Sequence, residues 1–193
     1  MPNKLINFLD GKDDCIVEKH TKDSSIFGVN VRLDIVKRTF GTPKNTLSVS
    51  SRSILEDHWC GYTTFEKRPL FEKWYKGIVQ EVPVHGGVTF AEKNEYAMGT
   101  FTYGFNCAHG RDILHLAKVE TKHKDRFFKW LWGQTHILAM SILIAKDYEK
   151  EYLHTKDTHK MELLVGKMLT AVDNAVNNAI DSELKHYRKY PEC

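Results

Sequence analysis

The distribution of glycine and proline divides this chain near residue 120. Ten of the twelve glycines and four of the five prolines come before that point, among short runs of β-branched and aromatic residues. Beyond it only Gly133, Gly166 and Pro191 remain. Because both residue types interrupt regular elements, residues 1–120 are expected to form strands and loops, and the rest long helices. With 193 residues the chain can bury one sizeable core, and we predict a single α+β domain over residues 1–193.

Hydrophobic spacing predicts the elements of each part. Alternating or aromatic-rich runs favour a mixed or antiparallel sheet with strands at 28–38, 47–51, 59–65, 78–83, 88–91 and 99–105. A short helix is expected over 69–76, where a proline suits the first turn. Residues 121–188 are predicted to form a pair of long helices, 124–153 and 157–187. The apolar stripe of the second long helix suits the sheet or a partner subunit, so a homo-oligomer is expected.

Composition excludes several classes of protein. Hydrophobic residues make up 41% and charged residues 27% of the chain, which is typical of globular proteins and not of disordered ones. The formal charge is only +3, and the basic stretch 65–76 also contains Glu66 and Glu72, so nucleic-acid binding is not expected. Because we find neither a secretory signal nor an apolar run of bilayer length, we expect no membrane association and a cytoplasmic location. The four widely spaced cysteines are expected to be free thiols.

Two polar segments that contain glycine are the strongest candidates for a site. One is Val84-His85-Gly86-Gly87-Val88-Thr89-Phe90, and the other, residues 104–112, reads Gly-Phe-Asn-Cys-Ala-His-Gly-Arg-Asp. Each follows a predicted strand, and glycine lets a ligand approach the backbone closely. We therefore predict one cleft lined by His85, Gly86, Gly87, Thr89, Phe90, Tyr103, Asn106, His109, Arg111 and Asp112.

Several of these residues also have a structural interpretation. A histidine before two glycines, like His85, is typical of a hydrogen-bonded turn, and Arg111 with Asp112 of a surface ion pair. His109 and Asp112 are spaced HxxD and are suited to share a divalent metal, but so short a spacing is common by chance. No cofactor is therefore predicted, and a divalent metal stays an alternative. Cys107 has no neighbouring base and is expected to be a buried, unreactive thiol.

The order of these motifs resembles a protein family that is common in phage and prophage genomes. The likeness is carried by Cys60-Gly61-Tyr62, Arg68-Pro69-Leu70-Phe71 and the two segments that contain glycine, closing on Asp112. Family members carry CGYV, GHPL, VHGG(L/I)T(Y/F) and GFDCAHxGD segments, and most have no assigned activity. The likeness covers residues 59–112 and implies that the cytoplasm is that of an infected bacterial host.

The chain departs from the family pattern at three places. Asn106 stands where the family has aspartate, Gly110-Arg111 replaces a small residue followed by glycine, and Arg68 replaces histidine. A neutral amide neither accepts a proton nor binds a hard cation as strongly as a carboxylate does. The asparagine therefore favours binding over catalysis.

Our first functional hypothesis is a binding protein that sequesters a small anionic, nucleotide-type ligand. In the phage context that the resemblance implies, such a ligand is an immune signal of the host, and the role is counter-defence. Its phosphates would lie on the amides of Gly86 and Gly87 and on Arg111. A base would stack on Phe90, Tyr103 or Trp59.

Two other functions remain open at this point. A hydrolase, with or without a metal, would use His85, His109 and Asp112 as ligands or as acid and base groups. A protein–protein inhibitor would instead use the pair of long helices and the stretch 65–76.

Overall fold

The fold follows the division of the chain near residue 120. A computed structural model describes residues 5, 8–11, 15–39, 57–66, 82–93, 100–109 and 112–178, and in it five strands precede three helices. A short 3-10 helix, Phe8–Asp10, comes before them. The strands are β1 (Ile16–Ile26), β2 (Val29–Thr39), β3 (Asp57–Phe65), β4 (Phe90–Lys93) and β5 (Phe101–Asn106). The helices are α1 (Asp112–Lys122), α2 (Lys124–His154) and α3 (Thr158–Asn178). The predicted α+β class is confirmed.

All five strands form one antiparallel sheet in the order β1-β2-β3-β5-β4. Cys60 of β3 is paired with Asn106 of β5, and Gly104 of β5 is paired with Phe90 of the edge strand β4. Since β4 and β5 run in opposite directions, the chain enters β4 at the end of the sheet where it leaves β5. The two predicted motif segments are therefore neighbours in space.

One face of the sheet packs on α2. Alternate residues of β2, including Leu33 and Ile35, meet fully buried helix residues such as Leu131 and Ile137 in one hydrophobic core. At Gly61 a Cβ would overlap the ring of Phe105 and the hydroxyl of Thr135, so glycine lets the helix approach the sheet closely. Fifteen residues of α2 are buried, as expected for a central helix with neighbours on several sides.

The opposite face of the sheet holds a buried cluster of charges. The guanidinium of Arg32, 1% exposed, donates to Asp34 (2.9 Å), to Asp10 (2.8 Å) and to the carbonyl of Leu5 (2.7 Å). Burial alone would lower the pKa of Arg32, but the hydrogen bonds to Asp10 and Asp34 outweigh it and raise that pKa. These bonds tie the N-terminal segment to the sheet.

Helix α1 is attached to the sheet by a polar contact. Glu120 accepts hydrogen bonds from the indole nitrogen of Trp59 (2.9 Å) and from the ammonium of Lys37 (3.1 Å). Leu116 and Val119 of the same helix are buried in the main core. Because α1 begins three residues after His109, this attachment constrains where the second motif segment can lie.

The structure differs from the predicted elements in three respects. Strand β1 was not predicted, because only Ile26 of its eleven residues is buried and its charged residues are typical of a sheet edge. Helix α1 was not predicted either, since the long helices were expected to begin only at 124. Val82 and Pro83 lie in bends rather than in a strand. The predictions at 47–51, 69–76, 78–81 and 179–187 lie outside the described residues.

The apolar stripe of α3 is occupied within the chain. Its buried residues are Leu164, Met168, Val172 and Val176, and the last three belong to the main hydrophobic core with α2. The stripe therefore gives no argument for a partner subunit, and a homo-oligomer stays a prediction.

Candidate functional site

The first motif segment forms a turn with two left-handed glycines. The amide of Gly87 donates to the carbonyl of Val84 (3.0 Å), and Gly86 and Gly87 have φ of +69° and +73°. Side chains other than glycine rarely adopt this conformation, so the Gly-Gly pair is required by the turn itself. The Gly87 amide is already used in the turn and is not available to a phosphate.

Helix α2 fixes this turn. The side-chain oxygen of Gln134, only 4% exposed, accepts a hydrogen bond from the backbone amide of His85 (2.8 Å). The ring of His85 also packs edge-on against Trp130, with 5.6 Å between ring centroids. Two residues of the helical half therefore position a histidine of the sheet half.

The second motif segment turns away from β5 through Asn106. Its side-chain oxygen accepts a hydrogen bond from the amide of Ala108 (3.1 Å), while the amide of Cys107 donates to the carbonyl of Trp59 (2.8 Å). A side chain that bonds the backbone two residues ahead is an Asx turn, which reverses the chain direction. This turn directs His109 toward the first segment.

The two turns meet at His85 and His109. Their ring centroids are 5.6 Å apart with the planes at 72°, and both residues are half-buried. The ring of His109 lies so close to Gly86 that a Cβ at position 86 would overlap the Cε1 atom and both nitrogens of the imidazole. Gly86 itself is exposed, so one side of the pair is open to solvent.

The Nδ1 atom of His109 is buried and has no hydrogen-bond partner among the described residues. An imidazole nitrogen in that state has lost its hydration without replacing it, which costs on the order of 1–3 kcal/mol. Such a nitrogen favours a ligand that supplies the missing partner. This is the strongest sign of a binding site in the described part of the chain.

A second link joins the two segments at Thr89. The side-chain nitrogen of Asn106 donates to the hydroxyl of Thr89 (3.3 Å), and the Thr89 amide donates to the carbonyl of Gly104 (2.8 Å). Asn106 therefore uses both ends of its amide in the architecture of the site. A side chain that is committed to two such bonds is suited to hold the two segments together.

The predicted aromatic residues do not lie beside the histidine pair as an open stacking surface. Tyr103 is 2% exposed and packs against Phe65 in the core. Phe90 packs edge-on against Tyr62, and Tyr62 belongs to the hydrophobic cluster on the sheet face that points away from α2. Trp59 is 3% exposed. Because neighbouring residues of a strand alternate between faces, Phe90 and Ala91, the partner of Tyr103, point in opposite directions.

Two predicted residues remain without a described side chain. Arg111 lies outside the described residues, and Asp112 is the first residue of α1. In the described part of the chain, no group of three or more His, Cys, Asp or Glu residues is arranged to hold a metal ion. His85 and His109 alone would supply two ligands, fewer than a structural or catalytic zinc site uses.

The cysteines near the site are buried. Burial raises the pKa of the Cys60 thiol to about 11, although the hydrogen bond with Tyr62 and the charge of Arg38 lower it. Since the thiolate is the reactive form, Cys60 is a poor nucleophile at neutral pH. Cys15, Cys60 and Cys107 are all free thiols, and Cys107 is 2% exposed.

Sequence reasoning missed Trp130 and Gln134 as parts of the site. A signal for Gln134 is present, because a Gly-Gln-Thr-His stretch, 133–136, interrupts the longest apolar run of the chain. A polar residue in a buried helix is typically retained because it has a partner. In this protein that partner is the turn at His85.

Comparisons of the chain with protein-family models, with curated proteins and with solved structures found no match. Among the described helices, none has the length and apolar character needed to cross a membrane.

Proposed function

We propose that this protein binds a small anionic, phosphate-bearing ligand at the paired turns of His85 and His109. The observation that carries the proposal is the buried Nδ1 of His109, which has no partner among the described residues although the adjoining turn is exposed. A phosphate oxygen accepts a hydrogen bond from an imidazole N–H and gains further when the ring is protonated.

The proposed ligand contacts are side chains rather than a cradle of backbone amides. The Gly87 amide is used within its own turn, so two imidazoles 5.6 Å apart provide the donors. That separation allows both rings to contact the oxygens of one phosphate group. Because Gly86 has no side chain, the ring of His109 can lie directly against this turn.

Retention of the ligand, without turnover, is the activity that we propose. Asn106 offers no carboxylate at the place where the similar phage family has one, and its amide is engaged with Thr89 and Ala108. Sequestration of a host nucleotide signal is the corresponding biological role, and it rests on the family resemblance alone.

Hydrolysis is the second candidate, and the same nitrogen of His109 favours it. An imidazole nitrogen that has no hydrogen-bond partner among the described residues can act as a general base or acid toward a ligand that comes within reach of it. Binding and hydrolysis make different predictions for the fate of the ligand: sequestration returns it intact after denaturation, whereas hydrolysis returns products.

Isothermal titration against cyclic nucleotides, ADP-ribose derivatives and inorganic pyrophosphate tests the proposal. We expect at least one compound to bind at micromolar concentration, because the two imidazoles offer hydrogen-bond donors to a phosphate group. His109→Asn should weaken binding at least about tenfold, as expected for the loss of a charge-assisted hydrogen bond.

His159→Asn is the matched control, since His159 lies exposed on α3 and should leave the affinity unchanged. Chromatography of the ligand after denaturation of the complex should return it unaltered. The proposal fails if no compound of the panel binds, or if His109→Asn binds as tightly as the unmodified protein.

A further inference from the structure

A cavity lies at the end of the sheet opposite to the histidine pair. Its volume is about 910 Å³, and its walls come from the β1–β2 turn, the end of β3, the second half of α2, and α3. Phe65, the last residue of β3, lines this cavity. The histidine pair lies at the other end of the sheet, because His109 follows Asn106, the last residue of β5, and Asn106 is paired with Cys60 near the start of β3. The volume is within the range of small-molecule sites, on the order of 300–1,000 Å³.

The residue at the mouth of this cavity is unusual for its position. Phe27 and Gly28 form the two-residue turn between β1 and β2, with φ of +50° and +75°. Such turns favour Asn, Asp or Gly, because a larger side chain is strained at positive φ. Phe27 is nevertheless 60% exposed, so the strain is not offset by burial of the ring in this protein.

The remaining walls combine aromatic and apolar surface with carboxylates. Tyr148 and Leu143 of α2 provide aromatic and aliphatic surface, and among the described lining residues Glu66 and Asp147 carry negative charge and Lys146 carries positive charge. Aromatic faces attract cations through the electron-rich π system, and carboxylates add a Coulombic attraction. Within this described part of the lining, the two carboxylates outnumber the one ammonium, which favours a cationic ligand over an anionic one.

We infer that this cavity binds a small organic cation, a methylated ammonium on a short apolar body, with Phe27 as an aromatic wall. Contact with the ligand then explains why an exposed aromatic ring is present at position 27, where the backbone conformation disfavours phenylalanine. The inference does not depend on the function proposed for the histidine pair, because none of the described residues belongs to both places.

Choline and 3,3-dimethylbutan-1-ol test the inference as a matched pair, since they have the same shape and differ in the charge of one central atom. Amide chemical shifts in ¹H–¹⁵N spectra report binding to each. We expect choline to shift the signals of Phe27 and Asp147 saturably, and the neutral alcohol to bind at least about fivefold more weakly, as the loss of a cation–π contact implies. Equal binding of both compounds, or no binding of choline, would overturn the inference.

Phe27→Asn separates binding from folding. Asparagine tolerates the left-handed conformation, so this variant should unfold at a higher temperature than the unmodified protein while losing most of its affinity for choline. Asp147→Asn should also weaken choline and leave the neutral alcohol unchanged. If Phe27→Asn binds choline as the unmodified protein does, Phe27 is not part of a cation site and the inference is wrong.

Discussion

At the level of single residues, Gly86 is the position where the fold and the proposed site depend most on each other. It has a left-handed φ of +69°, and a side chain there would overlap the ring of His109. Gly28 has a similar φ of +75°, but open space surrounds the position of its missing Cβ. Substitutions at the two glycines therefore distinguish the effect of backbone strain, which both positions have, from the effect of steric overlap, which only Gly86 has.

We expect Gly86→Ala to lower the free energy of unfolding by more than Gly28→Ala does. Both variants carry the strain of a left-handed alanine, roughly 1–2 kcal/mol, but only Gly86→Ala also displaces an imidazole. Urea denaturation of the two variants measures the difference. Equal losses in both would show that the contact between Gly86 and His109 does not contribute to stability.

The Cys60 thiol gives a second prediction for a single residue, which concerns how the stability of the protein depends on pH. Burial raises the pKa of its thiol from the ordinary 9.0 to about 11, so the folded protein keeps this proton over a range in which the unfolded chain loses it. Its contribution to stability is complete below pH 9 and is lost as the pH rises from about 9 to about 11.

Alkylation checks the burial of the Cys60 thiol on which this expectation rests. Iodoacetamide at a pH near 8 should modify the half-buried Cys15 of the folded protein well before Cys60, which is 2% exposed. In urea the two thiols should react at similar rates. Mass spectrometry of the peptides distinguishes them, and rapid labelling of Cys60 in the folded protein would contradict the assigned burial.

At the level of elements, a buried charge cluster attaches the N-terminal segment to β2 and is costly to break. Asp34 is 0% exposed and accepts hydrogen bonds from Arg32 and from the hydroxyl of Thr21 (2.6 Å). Removing its carboxylate leaves Arg32 buried with the partly exposed Asp10 as its remaining counter-charge among the described residues. We expect Asp34→Ala to lower the free energy of unfolding by about 3–5 kcal/mol.

A control for this variant is Glu162→Ala on α3. Glu162 is 3.9 Å from His159 in an exposed pair, which is worth less than about 1 kcal/mol. Thermal unfolding of both variants provides the comparison. If Asp34→Ala is no more destabilising than Glu162→Ala, the buried cluster does not hold the N-terminal segment on the sheet.

The predicted elements also show which physical signals a sequence carries. Strand β3 and helix α2 were predicted within two residues of their bounds, because both are apolar over most of their length. Strand β1 lies at a sheet edge and contains few apolar residues among charged ones, so it has little hydrophobic pattern. Its strand conformation comes from backbone pairing with β2 rather than from burial. Helix α1 contributes two residues to the main core, Leu116 and Val119. Two apolar positions are too few to predict a helix from the spacing of hydrophobic residues.

At the level of the whole molecule, the candidate site joins the two halves of the chain. The neighbouring positions of His85 and His109 follow from antiparallel strands, which could be anticipated from sequence. The hydrogen bond from His85 to Gln134 crosses 49 residues and depends on how α2 lies over the sheet. No local pattern contains that information, so the residues that α2 contributes could not be predicted.

The central claim is that the histidine pair is the binding site, and side-chain ¹H–¹⁵N spectra of histidine test it most directly. The probe is inorganic pyrophosphate, or the tightest compound of the titration panel, added to the unmodified protein at a pH of about 6.5, where imidazole signals respond to charge. Our account predicts that the ring signals of His85 and His109 shift together and saturate, while those of the exposed His154 and His159 stay in place. Saturable binding that leaves the signals of His85 and His109 unmoved would contradict it.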